Sequence, residues 1–272
     1  MKYISGTYFK KRCKYSVGQY ESAYVPRFTF DTQEGVFNKY VFVKAEYLWN
    51  NIHAVNSLDG FVLLSHNSDI VITQKLAQSV LELYPNLVHW YAQNLAYAHP
   101  QISPLPIGIA NPKWTHGNDN TFDKIRLEKN SKKELVYSNF NVATNPVERQ
   151  YCLSQIDKCV STSYPQYTDL KAQNEFFANT HENYLRDMSQ TYFVISPNGN
   201  GIDCHKTWEA LYMNSIPIVT RSEMTDRFKE MGIPLIVLDD WSKYRNLDLS
   251  ENLYHKVWGD FDPEQLSWEF FI

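Results

Sequence analysis

The stretch Tyr192-Phe193-Val194-Ile195-Ser196-Pro197-Asn198-Gly199-Asn200-Gly201-Ile202-Asp203-Cys204-His205-Lys206-Thr207-Trp208-Glu209, running on to Ile216-Pro217-Ile218-Val219, decides the fold. A short apolar run meets a loop with glycines at 199 and 201. A helical pattern follows, with Trp208, Leu211 and Tyr212 as its inward stripe, and a second apolar run closes the segment. This is strand, glycine loop, helix, strand. The glycines allow the backbone to approach a ligand closely. The start of the helix directs unpaired N–H groups and the positive end of its dipole at the loop, which suits a phosphate. Lys206 adds a full positive charge in the first turn. Two familiar phosphate loops are excluded. A Walker A loop requires Gly directly before the Lys, where His205 stands, and a dinucleotide fingerprint requires a third Gly at Cys204. Glu209, three residues after Lys206 on the same helical face, is placed either to accept from the ribose hydroxyls of a nucleotide or to pair with Lys206.

The same alternation extends outward. Strands are expected at 40–43, 60–65, 87–91, 103–107, 135–140, 192–196, 216–219 and 235–238. Helices are expected at 72–84, 146–155, 205–213 and 224–231. Continuous apolar strands alternating with helices indicate α/β architecture with parallel sheets covered on both faces. Residues 110–133 are polar, with Asn111-Pro112 and His116-Gly117-Asn118-Asp119-Asn120, and read as a break. Two domains follow, 1–115 and 116–272, with the aromatic-rich end from His255 crossing back onto the first. Residues 1–35 show no clean periodicity.

Composition narrows the class. The chain has 272 residues, 43% hydrophobic, 21% charged and 15% aromatic, with a formal net charge of −4. It is long enough to fold around cores without disulfide or metal staples, and too apolar to be disordered. No basic stripe is present, which excludes dedicated nucleic-acid binding. The longest apolar runs, at 61–64 and 235–238, are strand-sized, so no membrane-spanning helix is expected. The N-terminal lysines precede no apolar h-region, so no signal peptide is expected. Cys13, Cys152, Cys159 and Cys204 form no CxxC, and no N-x-[ST] sequon occurs. These features point to a reducing, cytoplasmic compartment.

The block Pro197-Asn198-Gly199-Asn200-Gly201-Ile202-Asp203, with Lys206, Trp208-Glu209-Ala210-Leu211 and Ile216-Pro217-Ile218, resembles the donor-binding signature of exostosin-like glycosyltransferases (family 47-like). It looks like the version carried by soluble members in large DNA viruses and microbes. Weaker similarity extends to residues 90–94, 104–108 and 136–149. The resemblance implies a GT-B fold, in which two Rossmann-like domains with parallel sheets face a central cleft. It implies an inverting transfer of sugar from a UDP-sugar, a small one such as xylose being favoured by the compactness of the chain, to a hydroxyl of a glycan acceptor. Lys206 stands where many members have Arg, making the phosphate contact a point charge and not a fork.

On that resemblance the donor site comprises Arg149, Asn145, Pro197, Asn198, Gly199, Gly201, Asp203, His205, Lys206 and Glu209, with Arg149 on the diphosphate. Asn139, Asn141 and Asn145 are placed to hydrogen-bond the donor or to cap and turn the backbone. An inverting transferase also needs a base in its N-terminal domain to take the proton of the attacking acceptor hydroxyl. The loop after the 60–65 strand offers Asp69 first and His66 second, with Glu46 behind them. Asp69 is equally suited to cap the next helix. Asp260-Phe261-Asp262 follows no apolar strand, and Asp239-Asp240 is only an adjacent pair. Both read as surface turns, so no metal or other cofactor is expected. Trp90, Tyr91 and Trp114 lie near loop ends, where they can stack on an acceptor sugar. The expected partners are a nucleotide sugar and a glycan, with neither nucleic acid nor membrane. A non-catalytic glycan-binding protein on a transferase fold and a nucleotide-sugar hydrolase are the competing readings.

Overall fold

A computed structural model describes residues 3–17, 30–32, 37–49, 55, 58–156 and 170–272. The chain divides into two compact units, one of Lys2–Ile107 with Ser267–Ile272, the other of Gly108–Leu266. Each is built on its own sheet of mainly parallel strands, the Rossmann-like α/β arrangement expected from the alternation.

In the N-terminal unit the strands are β1 (Cys13–Val17), β2 (Phe30–Thr32), β3 (Phe37–Lys44), β4 (Phe61–His66), β5 (Leu87–Ala92) and β6 (Ile102–Pro104). They lie in the order β2-β1-β3-β4-β5-β6, parallel except for the antiparallel β1–β2 pair. Val41, Phe42, Val43, Leu63, Leu64 and Trp90 are fully buried, because strands covered on both faces have no polar side to alternate with. The buried Trp90 indole donates to Ser65 Oγ at 2.8 Å, so it belongs to the core. Helix α1 (Gly6–Lys10) and β1 occupy the N-terminal stretch that shows no sequence periodicity.

Helix α2 (Gln74–Leu83) begins later than its apolar pattern suggests. Ile72, counted in the helical stripe, instead makes a parallel bridge to Leu95 and is fully buried. Thr73 caps the helix, accepting from Leu76 N–H at 3.4 Å. Asp69 is therefore not the cap. The last residues join this unit. Trp268 N–H donates to Tyr8 Oη at 3.1 Å, its ring lies 5.2 Å from Tyr40, and Tyr91 Oη donates to the Ile272 carbonyl at 3.3 Å.

The C-terminal unit has β7 (Glu134–Tyr137), β8 (Thr191–Ile195), β9 (Ile216–Thr220) and β10 (Ile236–Leu238), all parallel, in the order β10-β9-β8-β7. Phe193, Ile195, Ile216, Ile218, Trp241 and Tyr254 form its core. Around the sheet run α3 (Asp119–Leu127), α4 (Pro146–Gln155), α5 (Leu170–Ser189), α6 (His205–Tyr212), α7 (Glu223–Glu230) and α8 (Glu251–Trp258), and Trp268–Phe271 forms α9 in the other unit. No helix among the described residues is long and apolar enough to cross a membrane.

Two expectations are corrected here. The strand expected at 135–140 ends at Tyr137, which frees Asn139 to Asn141 as a loop at its carboxyl end. The polar break at 110–133 contains α3, which buries only Phe122 and Ile125 and leaves Leu127 exposed, too narrow a stripe to read as a helix. The turn before it is tightly folded. A Cβ on Gly117 would sit 2.3 Å from the Asn111 carbonyl oxygen and 2.4 Å from that of Ala110. Backbone cannot give way as a side chain can. Gly117→Ala is expected to cost about 2 kcal/mol of stability, read as a lower denaturation midpoint at unchanged slope.

The aspartates flagged as surface turns have structural partners. Asp239 pairs with Arg221 at 2.8 Å, Asp240 caps the following turn through Ser242 N–H at 2.7 Å, and Asp262 receives Glu264 N–H at 2.9 Å.

Candidate functional site

A cavity of about 280 Å³ opens in the C-terminal unit beyond the carboxyl ends of β7 and β8. Parallel α/β sheets bind ligands at this end. Asn139, Phe140 and Asn141 line it from the loop after β7, Arg149 from α4, Thr180, His181 and Tyr184 from α5, and Lys206 and Glu209 from α6. Thr144 and His116 complete the wall.

The glycine loop is held by one end of α4. Asn145 caps that helix, accepting from Glu148 N–H at 3.3 Å, while its Nδ2 donates to the Gly199 carbonyl at 3.0 Å. Glu148 Oε1 accepts from Asn198 N–H at 3.1 Å, and also from Thr220 and the Trp241 indole. Arg149 Nε donates to the Asn198 carbonyl at 2.9 Å, and Nη1 to that of Asn141 at 2.8 Å. One guanidinium thus ties the β7 loop to the β8 loop. A Cβ on Gly199 would come within 3.4 Å of Arg149 Nη2, so the close approach that this glycine permits is to the arginine.

Arg149 is 8% exposed, and among the described residues no carboxylate pairs with it. A buried guanidinium with only carbonyl acceptors keeps most of its desolvation penalty uncompensated. Lys206 Nζ donates to the Asn139 carbonyl and lies 5.6 Å from the Phe140 ring centre and 5.7 Å from that of Tyr184. Two cations therefore line one wall.

Among the described residues, one carboxylate lines the cavity and supplies the opposite charge. Glu209 is 5% exposed. Its Oε2 accepts from Tyr184 Oη at 2.9 Å, and its Oε1 lies 3.6 Å from His181 Nε2. Burial pushes its carboxyl upward, but His181, His205 and the Tyr184 hydroxyl outweigh burial and hold it well below the usual carboxylate range. The Tyr184 phenol is pushed well up, first by burial and then by the Glu209 charge. Glu209 is thus a core member of the site and not a surface partner of Lys206.

The other expected residues support this wall from behind. Asp203 is buried and accepts the Trp208 indole N–H with both oxygens at 3.0 Å, which fixes α6 to its own loop. Trp208 packs edge-on against Phe228, with centroids 5.0 Å apart. His205 Nδ1 lies 2.7 Å from the Gly108 carbonyl. Pro197, Asn198, Gly199 and Gly201 shape the loop between β8 and α6, and Asn198 and Gly199 are the two that α4 grips.

His66, Asp69 and Glu46 lie in the N-terminal unit. His66 is buried. Asn67 N–H donates to its Nδ1 at 2.7 Å, and its Nε2 lies 3.0 Å from the Pro106 carbonyl. Nδ1 also lies 3.1 Å from Asn67 Oδ1, so both ring nitrogens of this buried imidazole already have protein partners. Asp69 is exposed on the loop after β4, and Glu46 pairs with Lys44 at 2.8 Å.

His181, Tyr184 and Glu148 are the site residues that the sequence pattern hides. His181, Leu185 and Met188 share the buried stripe of α5 at helical spacing. A search for that stripe admitting His as an inward residue would have found it. No family model matches the chain, and no curated protein is significantly similar to it.

Proposed function

We propose that this chain is a glycosyltransferase that moves a sugar from a nucleotide-sugar donor, UDP-linked, to a glycan hydroxyl, with its two parallel-sheet units as the halves of a GT-B architecture. The observation that carries this reading is Arg149, a buried cation without a carboxylate partner among the described residues, beside Lys206 at the carboxyl ends of parallel strands. Such a pair compensates its own burial when a diphosphate arrives, and it stabilises the negative charge that develops when the diphosphate leaves. Glu209 faces the same cavity as the acceptor for sugar hydroxyls.

In the transfer, the acceptor oxygen attacks the anomeric carbon and its proton passes to a base. The bond to the diphosphate breaks with its electron pair going to the phosphate oxygen. Asp69 is the base in this proposal, because His66 is already committed at both nitrogens.

Calorimetric titration with UDP and a panel of UDP-sugars, together with an assay for UDP release in the presence of glycan acceptors, tests the reading. Binding of UDP and acceptor-stimulated release are expected; no response to any nucleotide sugar would refute it. Lys206→Ala is expected to weaken UDP binding about tenfold, the worth of one charge-assisted contact. Unchanged affinity would remove Lys206 from the donor site.

The commitment of His66 favours one second reading, in which the C-terminal unit binds the nucleotide sugar without transferring it. Donor binding with no product from any acceptor, and no donor cleavage, would establish that reading.

A further inference from the structure

His181 is the least satisfied polar group near the cavity. It is 9% exposed, and among the described residues neither ring nitrogen has a hydrogen-bond partner. Its ring is held firmly, 5.6 Å from Phe122, 5.8 Å from Tyr184 and 6.1 Å from His116 between centroids. Burying a hydrogen-bonding group without a partner costs about 1–3 kcal/mol. An aromatic residue such as Phe would fill the same niche without that penalty, so packing alone does not account for a histidine here.

Across from it, Glu209 Oε1 stands 3.6 Å from His181 Nε2. That is too long for a direct hydrogen bond. Oε1 accepts no hydrogen bond among the described residues, whereas Oε2 is taken by Tyr184. Two groups of complementary character, both short of a partner, thus face the cavity that Arg149 and Lys206 line.

We infer that His181 and Glu209 together hold one hydroxyl of the ligand, His181 donating Nε2–H to its oxygen and Glu209 Oε1 accepting its proton. An oxygen about 2.8 Å from each atom closes a triangle on the observed gap. A hydroxyl suits this position because it both donates and accepts; an ether or a carbon there leaves one of the two groups unpaired. Resting on the nucleotide-sugar reading, with the diphosphate on the cations, the hydroxyl belongs to the ribose. His181 is then the residue by which the site tells a ribonucleotide from its deoxy analogue.

The test is calorimetric titration of the full chain with UDP, 2′-deoxy-UDP and 3′-deoxy-UDP, for the natural protein, His181→Phe and His181→Leu. Phe keeps the ring packing and removes the nitrogens, and Leu covers the case in which Phe is not tolerated. The natural protein is expected to prefer UDP about tenfold over at least one deoxy analogue, the worth of one such hydrogen bond. Either variant is expected to reduce that preference by weakening UDP more than the deoxy analogue, the remainder being the contact to Glu209 Oε1. If UDP binds but the variants keep the preference, or weaken all three ligands equally, the assignment of His181 is overturned while the nucleotide reading stands. The same assignment falls if the natural protein binds all three ligands alike, which would leave water as the occupant of the gap. If UDP does not bind the natural protein, both readings fall.

Discussion

Replacing Arg149 by leucine is expected to weaken UDP binding about a hundredfold, the loss of a forked contact to phosphate worth ~2.7 kcal/mol. The same change is expected to leave the unliganded protein as stable as before, within about 1 kcal/mol. Two effects oppose each other. The hydrogen bonds to the Asn198 and Asn141 carbonyls are lost, at about 1 kcal/mol each. Against that, a buried charge with no carboxylate beside it disappears, and relief of that desolvation is of similar size. Arg149→Lys keeps the charge but cannot bridge both loops, so its affinity is expected to fall between the two. Titration with UDP and thermal melts of the unliganded variants decide the matter. A lowered melting point with unchanged affinity would make Arg149 a structural clamp only.

Glu209→Gln is expected to lower stability by about 3 kcal/mol at neutral pH, the cost of breaking a buried charged contact. With a shift of roughly 2–4 °C per kcal/mol for a unit of this size, the melting point falls by about 6–12 °C. The effect depends on pH in a definite direction. The folded-state carboxyl of Glu209 lies below its unfolded value of 4.5, so the unfolded chain binds more protons in that window. The stabilisation is therefore complete above about pH 4.5 and is lost as pH falls toward about 2. Glu128, held down to about 2 chiefly by hydrogen bonds from Arg186, titrates in the same window. It remains in the Gln variant, so the difference between the two melting curves isolates Glu209. Melting points that run parallel from pH 7 to pH 3 would show that Glu209 carries no such contact.

The two halves of the site differ in how far they can be read from the chain. Lys206 and Glu209 follow from spacing alone, because a loop, a helix start and one helical turn are local geometry. The end of β7 is less legible. Phe140 is buried, and its apolar side chain extends the strand pattern past Tyr137 although the backbone has already left the sheet. Helix α5 is hidden for the opposite reason, since His181 occupies an inward position and breaks the apolar count. The aromatic richness is partly explained by the return of Trp268 and its neighbours onto Tyr8, Phe9 and Tyr40 in the N-terminal unit.

Hydrophobic periodicity, a local property, was enough to establish parallel α/β architecture and the strand–loop–helix that carries Lys206. What a buried polar group faces depends on residues distant in sequence, and only the tertiary structure decided it. Arg149 meets Asn198 across 49 positions, and Tyr184 meets Glu209 across 25. The same long-range packing moved Glu209 from a surface pair into the core, committed both nitrogens of His66, and left those of His181 without a partner among the described residues. Burial and hydrogen-bond satisfaction are sums over neighbours from the whole fold, and no window of sequence contains those neighbours.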